Sequence, residues 1–256
     1  DIMTHKLLSV ITVTKNPGNF LNEFFNNIRN FGSDMVEFII IDGGSTDGSI
    51  DIITQNRHLI SRFISEPDDG VYYAMEKGIK LSNGRFIYFL GSDDILLPDF
   101  SKSLGKLINN KIIYCFDVRR KSNGKIIDGS PKLYRIAVDG LCHQGIIYPK
   151  EVFDKYKFKK EYRIFADNVL NLELAFSQDF KFEYNPLLIA EYNDITGLSK
   201  TEKDEAFLIN RYGILREFLP WWLSWVVIMR MKIVRCLDFI GVKAPFSAVK
   251  RLFISR

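Results

Sequence analysis

Short apolar runs alternate with helix-like stretches through the first hundred residues of the chain. The run at residues 86–90 is entirely apolar and rich in aromatic and β-branched side chains, which is typical of a strand buried on both faces. Between the runs, apolar residues recur at helical spacing. The predicted strands are residues 7–14, 36–41, 62–65 and 86–90, and the predicted helices are residues 20–28, 49–60 and 71–81.

This alternation predicts an α/β fold with a mostly parallel central sheet and helices on both faces. Ligands of such folds bind beyond the carboxyl ends of the strands. The polar residues that follow the four strands should therefore meet at one edge of the sheet. They are Thr14 and Asn16, residues 42–44, residues 66–68, and Asp93 with Asp94.

The second half of the chain has shorter and less regular segments. Its predicted helices are residues 100–109, 150–156, 166–176 and 201–219, and its predicted strands are residues 112–118, 125–127, 133–136 and 181–192. We therefore predict one domain of two halves, residues 1–98 and 99–197, followed by a helical extension, residues 198–256.

The composition is that of a globular protein with a sizeable core, since 46% of the 256 residues are hydrophobic and 26% are charged. The three scattered cysteines favour a reduced, intracellular protein over a disulfide framework or a zinc site. The sequence has neither a Gly-rich dinucleotide motif nor a P-loop. We expect no secretory signal and no membrane-spanning helix.

Four acidic or imidazole side chains have both a chemical and a structural interpretation. Asp93 and its neighbour Asp94 end a buried strand, where Mg²⁺ or Mn²⁺ would relieve their repulsion, but Asp is also an ordinary turn residue. His143 is either a site residue or an ordinary polar side chain. Asp167 begins a predicted helix, where Asp is a common N-cap.

Four stretches of the sequence, taken together, resemble the family 2 glycosyltransferases of the GT-A fold. They are most similar to the bacterial branch that builds capsule, O-antigen and colanic-acid-like polysaccharides. The stretches are residues 9–16, 39–48, 65–79 and 89–94. The resemblance implies an inverting transfer of a sugar from a nucleotide-sugar donor, by expectation a UDP-sugar, to a hydroxyl group of a growing surface polysaccharide.

The resemblance also implies roles for particular residues. Asp167 matches the catalytic base, Asp93 and Asp94 match the site of Mn²⁺ or Mg²⁺, and His143 and Gln144 match a pair on the acceptor side. The residues implied in donor binding are Thr14, Asn16, Asp42, Gly43, Gly44, Asp68, Gly70, Lys77 and Ser92. The sequence departs from the family pattern at Gly91, where Asp or Asn is usual, and at Asp69, Tyr73 and Glu76.

Two other functions are compatible with these features. A sugar-phosphate nucleotidyltransferase would need a Gly-rich basic signature after the first strand, and residues 15–18 match it poorly. A non-catalytic sugar- or lipid-binding module could keep the same fold. A basic C-terminal tail on a nearly neutral body suits an anionic surface, either membrane or nucleic acid, and we expect no nucleic acid partner.

The C-terminal extension is predicted to contain an amphipathic helix at residues 222–240. Its apolar stripe comprises Trp222, Trp225, Val226, Met229, Ile233, Cys236, Leu237 and Ile240, and Arg230, Lys232, Arg235 and Asp238 are expected on the other side. Residues 221–256 hold seven basic residues against Asp238 alone, which favours an anionic membrane surface. We therefore expect a cytoplasmic enzyme, peripheral on the inner face of the cell membrane, that acts on a polyprenyl-diphosphate-linked acceptor. The alternative for the stripe is packing on the catalytic domain or on a second copy of the chain.

Overall fold

A computed structural model describes residues 6–197 and 202–239 of the chain. Its strands are β1 Leu8–Thr14, β2 Val36–Asp42, β3 Arg62–Ser65, β4 Phe86–Phe89, β5 Ile95–Leu96, β6 Ile112–Arg120, β7 Ile126–Ile127, β8 Ile146–Pro149 and β9 Lys181–Tyr192. Its α-helices are α1 Phe20–Ile28, α2 Ser49–Gln55, α3 Val71–Leu81, α4 Asp99–Leu104, α5 Leu133–Val138, α6 Val152–Lys155, α7 Ala166–Phe176, α8 Glu205–Phe218 and α9 Trp221–Phe239.

The nine strands of the described residues form one sheet, in the order β3-β2-β1-β4-β8-β6-β9-β5, with β7 paired to β6. The first four strands are parallel, as predicted. Strand β8 is antiparallel to β4 and β6, whereas β9 is parallel to β6 and β5 is antiparallel to β9. One sheet therefore spans both predicted halves, and the fold is the α/β class expected.

Apolar side chains cover both faces of the sheet, because alternate residues of the central strands point to opposite sides. Ile11 and Phe89 belong to a cluster with α3, α7, α8 and α9, whereas Val10 and Tyr88 belong to a cluster with α1 and α4. The expected helices on both faces are thus confirmed.

Three predicted segments were wrong in type or length. Residues 133–136 were expected as a strand but form helix α5, because Ile136 is buried in the cluster that contains α7. The helix predicted at residues 49–60 ends at Gln55, where the Asn56 side chain donates to the Ile52 carbonyl oxygen at 2.9 Å, and a short 3-10 helix follows at Arg57–Leu59. The helix predicted at residues 100–109 is the shorter α4.

The face of helix α9 that packs on the protein is not the apolar stripe predicted from the sequence. Of the predicted stripe, Trp222 is 55% exposed and Trp225 is 64% exposed, whereas Val227 and Ile228 are buried in the core. Arg230 was expected on the solvent side but is only 4% exposed. Ile240 and residues 246–254 lie outside the described residues, as do the side chains of Cys236 and Leu237. Among the described segments, none of the helices combines the length and the hydrophobicity that a membrane span requires.

Candidate active site

A cleft of about 1400 Å³ opens beyond the carboxyl ends of β1 and β4. Asp93, His143 and Asp167 all line this cleft. Helices α5 and α9 complete the wall near Asp167, where Arg230 also lines the cleft. The topology thus places the acidic strand end and the predicted base in one cavity, which the sequence had only implied through the family resemblance.

Asp42, at the end of β2, organises the loop that follows it. Its side chain is buried, and its Oδ2 atom accepts hydrogen bonds from the amides of Gly44 at 3.0 Å and Ser45 at 2.8 Å. The Ser65 hydroxyl donates to the same oxygen at 2.7 Å, and the Ser45 hydroxyl donates to Oδ1. A buried carboxylate needs such partners, so Asp42 fixes the ends of β2 and β3 relative to each other.

The ends of β1, β2 and β4 are joined through short polar side chains. The Thr14 hydroxyl donates to Ser92 Oγ at 2.9 Å, which links β1 to the turn after β4. Asn16 has a φ of +51° and its Oδ1 atom accepts from the Thr46 amide at 2.8 Å. The structure therefore brings these predicted residues together at one edge of the sheet.

Two glycines of this edge lie close to the turn before α3. A Cβ atom on Gly43 would lie 2.9 Å from Asp68 Oδ2, and Gly44 has a φ of +80° and faces Pro67. Asp68 in turn accepts a hydrogen bond from the Gly70 amide at 3.0 Å, at the start of α3. The loop after β2 and the turn before α3 are thus in direct contact.

Lys77, on α3, is engaged with a carboxylate of the same region. Its Nζ atom lies 2.7 Å from Glu66 Oε1, and the Glu66 side chain is half exposed. Such a solvent-exposed ion pair contributes little to stability and is easily exchanged for another anion.

Asp93 and Asp94 are adjacent in sequence but differ in environment. Asp94 is buried, with Oδ2 accepting from the Gly91 amide and from Gln144 Nε2, both at 2.9 Å, and with Oδ1 accepting from the Asn193 amide at 2.9 Å. Asp93 is less buried, and its Oδ2 atom accepts from Asn193 Nδ2 at 3.0 Å. Burial, with the nearby Asp94 charge, raises the pKa of Asp93.

The donor set around Asp93 fits a divalent ion only in part. Among the residues that the structure describes, no three His, Cys, Asp or Glu side chains are grouped to hold a metal. The Asp94 oxygens already accept hydrogen bonds from the protein. A Mg²⁺-type ion needs only one or two carboxylates when substrate phosphates supply further ligands, so Asp93 could hold an ion of that kind.

Gly91, which departs from the family pattern, has a steric explanation. A Cβ atom at this position would lie 2.6 Å from Asp94 Oδ2 and 2.9 Å from Asp93 Oδ1. The two carboxylates fold back over the glycine, and they occupy the space that a larger residue would need.

Asp167, in the first turn of α7, is held by two neighbours. The Tyr72 hydroxyl lies 2.8 Å from Asp167 Oδ1 and 2.6 Å from the Ile164 carbonyl oxygen, which share its single proton. His143 Nδ1 lies 3.6 Å from Asp167 Oδ2. Burial, together with the Asp167 charge, raises the pKa of Tyr72 well above its ordinary value, so Tyr72 remains a neutral donor. The Asp167 carboxylate is thereby oriented, yet it lines the open cleft.

His143 is biased toward its protonated form. Burial opposes the charge, but the neighbouring Asp167 carboxylate, with further contributions from Asp94 and Asp93, outweighs burial and raises the pKa of His143. Gln144 has a different position, because its amide supports Asp94 and it is largely buried. Both residues line the cleft, so the predicted pair bridges Asp167 and the acidic strand end.

Sequence reasoning missed several residues of this region. Tyr72 stands inside the matched stretch 65–79 and could have been found there, whereas Asn193 and Asp204 belong to no motif. Asp204 caps α8 through the Phe207 amide at 3.1 Å and accepts from the Ile164 amide at 2.9 Å. It thus fastens α8 to the segment that leads into α7 and Asp167.

Comparison of the sequence with protein families gives a match over residues 9–170 to the family described as Glycosyl transferase family 2. A PGL/p-HBAD biosynthesis glycosyltransferase of Mycobacterium tuberculosis is 29% identical over 221 residues, which cover 80% of this chain and 84% of the relative. A glycosyltransferase of Bacillus subtilis named EpsH is 26% identical over 168 residues, covering 64% of this chain and 46% of the relative.

Solved structures share the fold at low sequence identity. S. aureus TarS 1-349 in complex with UDP-GlcNAc superposes with a TM-score of 0.66 and 14% identity, over 94% of this chain and 77% of that one. A mannosyltransferase from Pyrobaculum calidifontis, in complex with GDP-Man and Mn²⁺, gives a TM-score of 0.58 and 14% identity, over 81% of this chain and 61% of that one. In a comparison with another TarS 1-349 structure, the superposed region covers 65% of the length of TarS 1-349.

Proposed function

The chain belongs to glycosyltransferase family 2, and on that premise we propose that it is an inverting enzyme that transfers a sugar from a nucleotide-sugar donor to an acceptor hydroxyl. One observation carries the proposal: Asp167, oriented by Tyr72 and His143, lines the same cleft as Asp93. The site has a donor end, defined as Asp93 and Asp94 in the cleft together with the loop at Asp42, although Asp42 itself does not line the cleft. It also has an acceptor end, defined as His143, Asp167 and the adjoining helices α5 and α9.

We propose that the donor is a UDP-sugar bound at the donor end. The S. aureus TarS relative of this fold was solved with UDP-GlcNAc, which supports a nucleoside diphosphate here. The glycines after β2 support it as well, because a backbone without side chains can approach a ligand closely. Asp42 would act through the loop that it holds, since its oxygens are already hydrogen-bonded within the protein.

Asp93 is the residue that would hold Mn²⁺ or Mg²⁺, with the donor diphosphate as further ligand. Such an ion would neutralise the negative charge that develops on the leaving diphosphate. The raised pKa of Asp93 supports this role, because burial beside a second carboxylate makes a cation favourable. Asp94 would position Asp93 by fixing the turn.

Asp167 would act as general base. Its carboxylate takes the proton of the acceptor hydroxyl as that oxygen forms a bond to the anomeric carbon. The bond from the anomeric carbon to the diphosphate oxygen breaks, and its electron pair leaves with the nucleoside diphosphate. Attack from the face opposite the leaving group inverts the anomeric configuration. Tyr72 would hold Asp167 in place, and protonated His143 would stabilise its ionised form.

For the acceptor, we propose a glycan carried on a lipid at the inner face of the cell membrane, as part of a growing surface polysaccharide. The supporting feature is the aromatic face of α9, defined as Trp221, Trp222, Trp225, Met229 and Ile233, all of which are exposed. Trp side chains favour the headgroup level of a bilayer. Trp222 also lines the cleft, so the aromatic face adjoins the acceptor end.

A thermal-shift screen followed by a product assay tests the proposed activity. Ligands that bind only the folded protein raise its melting temperature. We expect UDP and UDP-sugars to raise it in the presence of Mn²⁺, and we expect slow UDP release when a UDP-sugar is incubated with the enzyme. Release of pyrophosphate instead would indicate a nucleotidyltransferase, and neither binding nor release would indicate a non-catalytic module.

Sedimentation with anionic liposomes tests the membrane proposal. The full chain should sediment at low salt and less so at high salt, and Trp221→Ser with Trp225→Ser should weaken the binding. Ile108→Ser is a matched control, because Ile108 is equally exposed but lies outside the aromatic face. If the protein stays in the supernatant and elutes as a dimer, the aromatic face is an interface between two copies.

A further inference from the structure

Arg230 is the unusual residue of the cleft wall. It lies on the buried face of α9, lines the cleft and is 4% exposed. Within the segments that the structure describes, its Nε and Nη1 atoms are buried without a hydrogen-bond partner. Its guanidinium carbon lies 4.2 Å from the centre of the Tyr134 ring.

Stacking on Tyr134 does not satisfy this guanidinium. A ring face attracts the positive charge, but the N–H donors of a guanidinium lie in its own plane and need acceptors there. A buried, charged group that lacks hydrogen bonds is costly, so a water, an ion or a ligand is needed as the missing partner. The position of Arg230 on the cleft wall makes an anionic ligand the natural partner.

The surroundings of Arg230 in the cleft carry an excess of positive charge. Lys125, Lys132 and Arg135 line the same cavity, and of these Arg135 is paired with Asp128 at 3.3 Å. Asp139 and Asp167 are the other carboxylates at this end of the cleft, so its four Lys and Arg side chains outnumber its three carboxylates by one. The opposite is true near β4, where the cavity is lined by Asp93 and Asp94. The cleft is thus divided into an acidic part and a basic part.

The size of the cavity leaves room for a second ligand group. At about 1400 Å³ it exceeds the roughly 300–1,000 Å³ that is typical of a pocket for one small molecule. A nucleotide-sugar at the donor end would leave the basic part of the cleft unfilled, since that part is formed by α5, α9 and the β6–β7 connection.

We propose that Arg230 is the centre of a second anion-binding position, which takes a phosphate group of the acceptor. Phosphate oxygens are good acceptors for a guanidinium, and because Nε and Nη1 lie on different edges of the fork, separate oxygens, such as those of the two phosphates of a diphosphate, would satisfy the two buried donors. The proposal rests on the proposed function, since it assigns the acceptor end to the acceptor. The phosphate could belong to a lipid diphosphate or to a free phosphate compound.

Isothermal titration calorimetry with saturating UDP and Mn²⁺ tests this position, because UDP then occupies the donor end. The probes are geranyl diphosphate, inorganic pyrophosphate and geraniol. We expect geranyl diphosphate to bind and geraniol not to bind. Arg230→Gln should weaken the binding at least tenfold, which is the scale of one charge-assisted hydrogen bond. Equal binding of pyrophosphate would identify a free diphosphate as a sufficient ligand, and preference for geranyl diphosphate would identify a lipid.

Two further variants separate ligand binding from folding. Arg216→Gln removes an exposed arginine from α8 and should leave the binding unchanged. Arg230→Met keeps much of the side-chain volume, so it should abolish the binding without lowering the melting temperature, since it removes an unpaired buried charge. The proposal is overturned if UDP binds but geranyl diphosphate and pyrophosphate do not, or if Arg230→Gln binds them like the unaltered protein. Failure of UDP itself to bind would instead count against the proposed function.

Discussion

The two ends of the cleft differ in how completely their polar groups are satisfied. At the donor end, Asp42 and Asp94 accept several hydrogen bonds each from the protein. At the acceptor end, Asn168 Oδ1 and two nitrogens of Arg230 are buried without a partner among the described residues. The hydrogen bonding of Asp167 is intermediate between these two cases, since its carboxylate lies beside the Tyr72 hydroxyl but is open to the cleft.

This difference indicates whether the protein or the ligand fixes the positions of the polar groups at each end. The donor end is built by the protein, so its geometry is ready before a ligand arrives. The acceptor end keeps buried groups that make no hydrogen bond within the protein, so a bound ligand must supply the missing hydrogen-bond partners. Substitutions at one end should therefore leave the function of the other end largely intact.

Asp93→Asn should have the largest effect, because it removes the one open carboxylate of the donor end. We expect loss of turnover and of Mn²⁺-dependent donor binding, measured by product assay and calorimetry. Asp94→Asn should instead lower the free energy of unfolding, by about 2–4 kcal/mol, because it disturbs three hydrogen bonds of a buried carboxylate. Unchanged donor affinity of Asp93→Asn with Mn²⁺ would rule out the metal role.

Asp167→Asn should reduce transfer by a factor on the order of 10²–10⁴, the usual effect of losing a positioned base. Donor binding should persist, because Asp167 belongs to the acceptor end. The exposed Asp154→Asn is a suitable control for the loss of an acid. A kcat within a few-fold of the original enzyme would show that another residue, His143 first, takes the proton.

Tyr72→Phe should lower kcat roughly tenfold, the scale of one hydrogen bond to a charged group, with little change in the KM of the donor. The variant keeps the buried ring and loses only the hydroxyl. A change confined to the melting temperature would make Tyr72 a structural residue with no part in orienting Asp167.

His143→Gln should reduce transfer roughly two- to fivefold and leave UDP affinity unchanged, because the pair with Asp167 is partly exposed.

The raised pKa of His143 predicts the direction in which stability changes with pH. The pair contributes most to stability below pH 6.5, and the contribution is lost as pH rises through the raised pKa. Denaturant unfolding should therefore show that this pH dependence is reduced in the variant. Equal pH dependence in both proteins would contradict the ion pair.

The donor half of the fold was predictable because its signals are local. Continuous apolar runs gave β1, β2 and β4, and the rule for parallel sheets gathered their polar ends at one edge. The loops that follow these strands are short, so position in the chain determines position in space. This is why Thr14, Asn16 and Asp42 lie together as expected.

The acceptor half was harder to predict because its contacts join distant parts of the chain. Asn193 binds Asp93 across 100 residues, and Asp204 binds Ile164 across 40 residues. Helix α9 is the clearest example, since Trp222, Trp225, Met229 and Ile233 of its predicted apolar stripe are exposed and Arg230 is buried over Tyr134. The hydrophobic pattern of a helix indicates that it has two faces, but the neighbouring elements determine which face is covered.

The division of the cleft into a donor end and an acceptor end is tested most directly by calorimetric titration of UDP, with Mn²⁺, into the original protein, Asp93→Asn and Asp167→Asn. The account predicts that Asp167→Asn binds UDP as the original protein does, whereas Asp93→Asn loses the Mn²⁺-dependent part of the affinity. Loss of UDP affinity in Asp167→Asn, or full Mn²⁺-dependent affinity in Asp93→Asn, would contradict it.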